Sequence, residues 1–405
     1  MTAETPIPPV PSRRERPRDR IPMYGEEFAA DPHRLYDEMR LHGPVAPVEL
    51  SPGVEATLVV GYDAALEVLR DPGTFPKDPS RWQKTVPAEC PVLPMMEARP
   101  NALLTDGEVH ARLRSAVKDG LARVDSIALR EYVENSADRL LDEFAGATEA
   151  DLVGQYARAL PLLVFLQMFG CPPEIGDRLV YGMTGIFDGR NPEEANAVLI
   201  QSIFELVKLK RERPAADVTS WMMAHPVRLS DEEMAHQLIL LMGAGTEPQQ
   251  NLIANGLRLL LSDDRFAGDL SGGSLPVEDA LDEILWTDPP MANYGITYPT
   301  RDVDFAGHRL PADKPVVISF SAANNDPSRA TAARTGNRAH LAWSAGPHTC
   351  PAKGHARLIA SVAIEKLLDR LPEMELAVPV EELRWRPGPF HRALEALPVR
   401  FPQAR

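Results

Sequence analysis

The 405-residue chain has only three cysteines, Cys90, Cys171 and Cys350, which are odd in number and widely spaced. Such a pattern does not indicate a disulfide framework, and it fits a reducing compartment. The first twenty residues are rich in proline and arginine and lack the apolar stretch of a signal peptide or membrane anchor. We therefore expect a cytoplasmic protein with a flexible N-terminal arm over residues 1–22.

Long hydrophobic runs and an excess of positive charge are also missing. The most apolar segments, at 159–170 and 237–245, fall well short of the roughly 20 residues that span a bilayer, so no membrane association is expected. The chain has 58 acidic and 43 basic residues, with a formal net charge of −15. This balance argues against a nucleic-acid partner, because phosphate binding needs concentrated lysine and arginine.

Most of the sequence has apolar residues at helical spacing. The pattern is mostly helical between Ser126 and Leu261, whereas short β-like runs occur at 299–320 and near the C-terminus. With 44% hydrophobic and 25% charged residues, the composition is that of an ordinary globular protein. We predict a mainly α fold with a minor β portion, and a single domain over residues 23–405.

The longest predicted helix begins after Ser230 and runs to about Leu261. Ser230 and Glu233 have the spacing of a capping box, and the middle of the segment is apolar on nearly every face. Pro248 lies within it, and an interior proline removes one backbone hydrogen bond and clashes with the carbonyl four residues back. Either the helix ends near Gly245, or one helix kinks there and brings its backbone close to a ligand.

Cys350 lies between a loop with glycine and proline and a segment of helical period that begins at Pro351. Because proline is favoured at the first helical position, Cys350 is predicted to be the N-cap, where the helix dipole favours a thiolate. Gly346 in the preceding loop would let the backbone approach a large flat group. The residues alone leave three roles open: an inert buried thiol, a nucleophile with His348 as its base, or an axial haem ligand.

The segment 343–350, Trp-Ser-Ala-Gly-Pro-His-Thr-Cys, resembles the haem-binding loop of cytochrome P450 enzymes, whose pattern is Phe-Gly-x-Gly-x-His-x-Cys. Further motifs of the family follow in the expected order along nearly the whole chain. His110 and Arg114 match its His-x-x-x-Arg helix, and 244–248, Ala-Gly-Thr-Glu-Pro, match the oxygen-binding bend of its central helix. The resemblance implies the cytochrome P450 fold, with a long kinked central helix over the haem.

The resemblance also implies which residues bind the cofactor, haem b (iron protoporphyrin IX). Cys350 would be the axial ligand of the haem iron. His110, Arg114 and His348 would bind the haem propionates, and Gly346 would let the loop lie close to the haem.

On the oxygen side of the haem, the resemblance assigns residues of the central helix. Ala244 and Gly245 would leave room for oxygen, while Glu247 and Thr246, with nearby water, would carry out acid–base catalysis. The loop over residues 77–100 would close the substrate pocket. Four residues would line that pocket: Leu240, Gly243, Met291 and Phe390.

Two motifs depart from the family pattern. The Glu-x-x-Arg motif becomes Glu283-x-x-Trp286, as in a variant subgroup of the family. A buried carboxylate needs a cation or a proton, so we expect Arg334 or Arg338 to pair with Glu283. In the central helix, Pro248 replaces the alcohol that normally follows the acid, as also occurs in the peroxide-driven branch of the family.

Further departures surround the haem itself. Thr297 or Tyr298 stands where many members place an arginine against the second propionate. In the cysteine loop, Trp343 replaces phenylalanine, and Ser344 and Ala352 replace glycines. None of these changes removes the thiolate.

By this resemblance we expect a haem-thiolate oxidoreductase of bacterial specialised metabolism. The departures resemble enzymes that couple aromatic cyclic dipeptides (diketopiperazines) through new C–C or C–N bonds. Alternatives are hydroxylation of a macrolide- or terpenoid-like hydrophobe, peroxide-driven oxidation, and a haem protein that binds a ligand without turnover. A thiol hydrolase is a more distant alternative.

The resemblance further implies electron partners. Electrons would pass from NAD(P)H through a ferredoxin reductase and a ferredoxin to the enzyme, which we expect to be a monomer. Because ferredoxins are acidic, the docking surface should be basic. Five residues are candidates for this surface: Arg112, Lys118, Arg123, Lys353 and Arg357.

Overall fold

Fifteen α-helices, four short 3-10 or π-helical segments and nine short strands are the regular elements in the described part of the computed structural model, which covers residues 20–187, 191–267, 277–329, 334 and 336–402. The helices are α1 (Glu26–Ala30), α2 (Pro32–Arg40), α3 (Tyr62–Arg70), α4 (Leu93–Met96), α5 (Gly107–Leu121), α6 (Ser126–Phe144), α7 (Ala159–Met168), α8 (Pro173–Phe187), α9 (Pro192–Glu212), α10 (Val218–Met223), α11 (Asp231–Ser262), α12 (Asp264–Ala267), α13 (Val277–Thr287), α14 (Phe320–Asn324) and α15 (Lys353–Arg370). The strands are β1 (Ile21–Pro22), β2 (Val45–Ser51), β3 (Val54–Val59), β4 (Glu149–Asp151), β5 (Val303–Phe305), β6 (His308–Leu310), β7 (Val316–Ile318), β8 (Glu375–Leu376) and β9 (Pro398–Arg400). The predicted mainly α fold with a minor β portion is confirmed.

The N-terminal arm predicted over residues 1–22 lies mostly outside the described residues, which begin at Arg20. Its last two residues form β1, which pairs in parallel with β2. The single domain predicted over residues 23–405 stays a prediction. None of the helices in the described ranges is long and apolar enough to cross a membrane.

A four-stranded sheet with the order β1-β2-β3-β7 forms most of the β portion. β2 and β3 are antiparallel, and β7 joins β3 in parallel. Beyond β7, the backbone of Thr297 bridges to Val316, with its N–H 2.9 Å from the Val316 carbonyl oxygen. The next N–H, of Tyr298, donates to the carbonyl of Pro76 at 2.8 Å. The sheet therefore holds the segment around Thr297 beside the loop that follows α3.

The central helix α11 runs without interruption over 32 residues, about 48 Å at 1.5 Å per residue. The Glu233 N–H donates to the Ser230 hydroxyl, and the Ser230 N–H donates to the Glu233 carboxylate. The predicted capping box is therefore confirmed.

Pro248 lies inside α11, so the alternative in which the helix ends near Gly245 is wrong. All residues from 249 to 257 are buried. A buried aliphatic side chain contributes roughly 1.5–3 kcal/mol, so packing of this half of the helix outweighs the roughly 3 kcal/mol that an interior proline costs. A kink at this position stays a prediction.

Candidate functional site

Cys350 ends the loop that is predicted to bind the haem iron. Its backbone N–H donates to the carbonyl of Trp343 at 2.8 Å and closes the loop around a short 3-10 turn. Gly346 in this turn has a φ of +67°, and a Cβ there would clash with the carbonyl of Leu69 at the end of α3. Only glycine therefore combines this backbone conformation with so close an approach.

The helix after the loop begins at Lys353 with Ala352 as its N-cap, so the prediction that Cys350 is the N-cap is wrong. Pro351 and Ala352 form a turn instead. Burial raises the pKa of the Cys350 thiol, although the Ala352 N–H and the Arg114 guanidinium act in the opposite direction. A nucleophile and an iron ligand both need the thiolate, so this direction does not distinguish the two roles.

His110 and Arg114 lie one turn apart on α5, and both contact the cysteine loop. The ring centroids of His110 and His348 are 4.1 Å apart, and the Arg114 guanidinium donates to the carbonyl of Thr349. His348 Nε2 lies 3.2 Å from Asp106 Oδ1, so Asp106 engages this nitrogen. The structure thus brings the three predicted propionate ligands together.

This cluster contains buried ring nitrogens that are free to bind a ligand. His110 Nε2 and His348 Nδ1 are buried and have no hydrogen-bond partner in the described part of the chain. Burial, together with His348 and Arg114, lowers the pKa of His110 to about 4, so its ring is neutral near neutral pH. A buried nitrogen without a partner costs about 1–3 kcal/mol. Haem propionates would supply oxygen acceptors for the N–H of His110 and for the Arg114 guanidinium, and these residues therefore fit the haem. His348 Nδ1 would donate to a propionate only with the ring protonated, because Nε2 faces the Asp106 carboxylate.

The middle of α11 is accessible, although the residues from 249 to 257 are buried. Ala244 is exposed, and Leu240 and Gly243 are partly exposed. A Cβ on Gly243 would meet no atom within 4 Å. An accessible surface on a long interior helix could line a ligand pocket.

Gly245 has a different neighbour. A Cβ at this position would lie 2.5 Å from the ring of Phe165, so glycine lets α7 pack closely against α11. Close packing of α7 against α11 therefore explains why residue 245 is a glycine. The predicted contacts of Ala244 and Gly245 with haem or oxygen stay predictions.

Glu247, the predicted acid–base residue, is 4% exposed and forms an ion pair with Arg386. Asn251 Nδ2 lies 3.5 Å from the same carboxylate oxygen. Burial acts to raise the pKa of the Glu247 carboxyl, but Arg386 and His391 outweigh it and hold the pKa below its ordinary value. Burial lowers the pKa of His391 to about 4, so near neutral pH the Arg386 charge keeps Glu247 ionised. No sequence motif marks Arg386 or His391, and sequence reasoning missed both.

Two polar residues near Glu247 in the sequence differ in whether their side chains are free to donate a hydrogen bond to a ligand. Thr246 Oγ1 is buried and has no hydrogen-bond partner among the residues that the structure describes. Gln249 Nε2 donates to the carbonyl of Ala356 at 2.9 Å and ties α11 to α15. Thr246 can therefore donate to a bound ligand or water, whereas the Gln249 amide is already engaged.

In α13, tryptophan takes the place of the motif arginine. Trp286 Nε1 donates to the carbonyl of Asn337 at 2.7 Å. The guanidinium of Arg334 lies 5.9 Å from the centroid of the Trp286 ring and 3.8 Å from the Glu283 carboxylate. Arg265 lies at the same distance from Glu283. Arg334, one of the two expected partners, is therefore a cation for the motif carboxylate.

The predicted lining of the substrate pocket is only partly accessible. Phe390 is 4% exposed and stacks edge-on against Tyr294 with ring centroids 5.5 Å apart, as a core residue does. Met291 is partly exposed. The loop predicted to close the pocket ends beside α11, where Gln237 donates to the carbonyl of Pro100 at 3.2 Å. The lining roles of Met291 and Phe390 stay predictions.

Two of the five basic residues proposed for ferredoxin docking are neutralised within the chain. Arg112 pairs with Glu233, and Arg357 pairs with both Glu278 and Asp282. The other three are exposed and form no ion pair within the described residues: Lys118, Arg123 and Lys353.

Comparison with known proteins gives full-length relatives, whereas no family model matches the chain. The cytochrome P450 monooxygenase PikC of Streptomyces venezuelae is 32% identical over 399 residues, which cover 94% of each chain. The 6-deoxyerythronolide B hydroxylase of Saccharopolyspora erythraea is 29% identical over 94% of this chain and 98% of its own. The solved structure of CYP154C4 from Streptomyces is similar with a TM-score of 0.84 and 30% identity, over 94% of this chain and 98% of that one.

Proposed function

Because the chain belongs to the cytochrome P450 family, whose members are haem-binding oxidoreductases, we propose that it hydroxylates a macrolide-like hydrophobic intermediate of bacterial specialised metabolism. Full-length similarity to hydroxylases such as the 6-deoxyerythronolide B enzyme supports this substrate class. The accessible middle of α11 is the observation that carries the proposal, because Leu240 and Gly243 offer an apolar wall with open space beside it.

Bound haem supplies the oxygen-activating chemistry, and a thiolate ligand favours O–O cleavage. Cys350 is the residue that would hold the iron. His110, Arg114 and His348 would hold the propionates, because their free donors and positive charge match carboxylate oxygens. The turn at Gly346 keeps this loop against α3 and so fixes the position of the cysteine.

Proton transfer would depend on Glu247. Arg386 keeps the Glu247 carboxylate ionised, and an ionised carboxylate would accept a hydrogen bond from water and orient that water for proton transfer. The Thr246 hydroxyl, which has no partner in the described part of the chain, would hold that water in place. Pro248 contributes no alcohol, so the route differs from that of family members with an acid–alcohol pair.

Oxidative coupling of an aromatic cyclic dipeptide through a C–C or C–N bond is the second candidate. Pro248 and Trp286 favour it, because these departures resemble those of coupling enzymes. Coupling removes two hydrogen atoms from the substrate and inserts no oxygen, so the oxidant would leave as two molecules of water, formed either from dioxygen with two electrons and two protons or from hydrogen peroxide. Only peroxide brings its own protons and would make an alcohol at position 248 dispensable. Peroxide as the oxidant is the corresponding alternative to dioxygen.

Electrons would come from NAD(P)H through a ferredoxin reductase and a ferredoxin. Lys118, Arg123 and Lys353 would provide the basic docking surface, because their charges are exposed and unpaired within the described ranges. That the enzyme acts as a monomer stays a prediction.

Product analysis tests the proposal. The haem-loaded protein is incubated with macrolide-type hydrophobes and with aromatic cyclic dipeptides, using either ferredoxin, reductase and NAD(P)H or hydrogen peroxide alone. We expect a macrolide-type product that has gained one oxygen atom, and no such product from the Cys350→Ser variant. The reduced protein with carbon monoxide should show the red-shifted absorption of thiolate ligation. A product that is a coupled cyclic dipeptide would replace hydroxylation by the second candidate, and no product from an intact haem-thiolate protein would contradict both.

A further inference from the structure

Lys77 is a buried lysine to which the haem motifs assign no role. Lys77 is 7% exposed, and its Nζ donates to the carbonyl of Ile296 at 2.9 Å. The ammonium forms no ion pair within the described residues. Burial lowers its pKa to about 8, while Asp106 acts in the opposite direction. A buried ammonium without a paired anion is unfavourable, so this position calls for an anionic partner.

Lys77 lies in the same cluster as the propionate-binding residues. Its backbone N–H donates to Asp106 Oδ2 at 2.5 Å, and the other oxygen of this carboxylate lies 3.2 Å from His348 Nε2. Asp106 therefore links Lys77 to the ring that packs against His110.

The carbonyl that Lys77 binds directly precedes Thr297 and Tyr298, where many family members have an arginine. Thr297 Oγ1 donates to the carbonyl of Val316 at 3.3 Å, within the sheet. The ring of Tyr298 packs on Trp82 with centroids 5.7 Å apart. Neither side chain carries a positive charge. Lys77 therefore brings a cation, from a different part of the chain, to a segment that has lost its own.

We propose that Lys77 is a haem-propionate ligand that replaces the missing arginine. Lys77 and Arg114 place two cations in a cluster with one carboxylate, that of Asp106, so the cluster has an excess of positive charge. The free Nε2 of His110 adds an uncharged donor. Two carboxylates, which haem b carries on one edge, would satisfy these donors and balance the charge.

Variants at position 77 separate this role from a purely structural one. If Lys77 only held the Ile296 carbonyl, Lys77→Gln would serve equally well, because an amide N–H can make the same hydrogen bond without charge. If the charge of Lys77 binds a propionate, Lys77→Arg should hold haem as tightly as the unmodified protein, and Lys77→Gln should hold it less tightly. Lys77→Met is a second uncharged variant of similar length in case the glutamine variant does not fold. Lys84→Gln, at an exposed lysine of the same loop, is the matched control.

The first measurement is the rate at which the holoprotein releases haem to a haem-scavenging apoglobin, together with the midpoint potential of the iron. We expect Lys77→Gln to release haem roughly 10- to 100-fold faster, as for loss of a charge-assisted hydrogen bond. Its midpoint potential should become more negative, because a nearby positive charge favours the reduced iron. Lys77→Arg and Lys84→Gln should remain close to the unmodified protein.

The second measurement uses haem dimethyl ester, whose propionates carry no charge. The unmodified protein and Lys77→Gln should release this ester at the same rate. Equal release of ordinary haem by the two proteins, or an unchanged difference with the ester, would overturn the proposal. Neither measurement involves a substrate, so the result is independent of the reaction that the enzyme catalyses.

Discussion

Trp286, at the position where the family resemblance predicts an arginine, is uncharged and contacts a distant backbone carbonyl. Its indole N–H binds the carbonyl of Asn337, 51 positions further along the chain. Arg334 supplies the charge, at 3.8 Å from the Glu283 carboxylate. The sequence predicted that Glu283 needs a new cation, because a buried carboxylate without one is costly. It did not predict that tryptophan would replace the hydrogen bond.

Glu247 likewise depends on a residue far away in the chain, and Arg386→Met tests this dependence. Arg386 holds the pKa of the Glu247 carboxyl below its ordinary value, whereas burial acts to raise it. Without the cation, burial should raise this pKa and leave the carboxyl protonated up to a higher pH. We therefore expect the acidic limb of the pH–rate profile for NAD(P)H-supported product formation to move to higher pH. Arg384→Met, at an exposed arginine two residues away, should leave the profile unchanged. The same profile in all three proteins would argue against Glu247 as the titrating group.

At the scale of elements, α11 and α15 show where local rules succeed and fail. The capping box at Ser230 was predictable because its two residues are three apart and bond to each other. The start of α15 was predicted two residues too early, at Cys350 instead of Ala352. The backbone of Cys350 closes the loop onto Trp343, so a contact outside the helix decides where the helix begins.

Pro248→Ala tests how much the interior proline costs α11. Alanine would supply an N–H for the carbonyl of Ala244 and remove the clash of the ring, so we expect the free energy of unfolding to rise by up to about 3 kcal/mol. Denaturant unfolding of the haem-loaded protein measures this. Pro173→Ala is the control, because Pro173 is the first residue of α8, where no helical hydrogen bond is lost. A lower stability of Pro248→Ala would show that the proline ring contributes more by packing than it costs.

At the scale of the whole molecule, one buried carboxylate joins four separate parts of the chain. Asp288, just after α13, lies 3.1 Å from His33 of α2 and 3.1 Å from Arg392 of the C-terminal segment. Arg258 of α11 lies 3.7 Å away. The Arg392 guanidinium lies 3.5 Å from the centroid of the Trp385 ring. These contacts connect the N-terminal, central and C-terminal regions.

Asp288→Asn should therefore destabilise the protein, by about 3–5 kcal/mol near neutral pH, because it leaves buried cations without their anion. Burial acts to raise the pKa of Asp288, but His33, Arg392 and Arg258 hold it well below the ordinary value of 3.8. A carboxyl whose pKa is depressed in the folded state stabilises the fold at any pH above its unfolded-state pKa. This contribution is lost as the pH falls from the unfolded-state pKa through the folded-state pKa. The difference from the unmodified protein should hence shrink below about pH 4. Denaturant unfolding at several pH values measures this difference in stability.

Asp63→Asn, which breaks an exposed pair with Arg329, is the control and should change stability by less than about 1 kcal/mol. A similar loss in both variants would contradict a special role for Asp288.

The sequence by itself determined the mainly α class, the positions of β5, β7 and β9, the start of α11 and the cysteine loop. Each of these depends on a pattern within a few residues or on motifs in a fixed order, and such patterns are readable without the fold. Only the tertiary structure decided that α11 continues through Pro248, because burial of its second half outweighs a local penalty.

The partners of the site residues also became visible only in three dimensions. Arg386 reaches Glu247 across 139 positions of the chain, and Lys77 reaches the carbonyl of Ile296 across 219. No local period or motif encodes such pairs, because the energy of a buried charge depends on what the folded chain places beside it. The sequence therefore supplied candidate residues for the chemistry, whereas the charges beside them were determined by the fold.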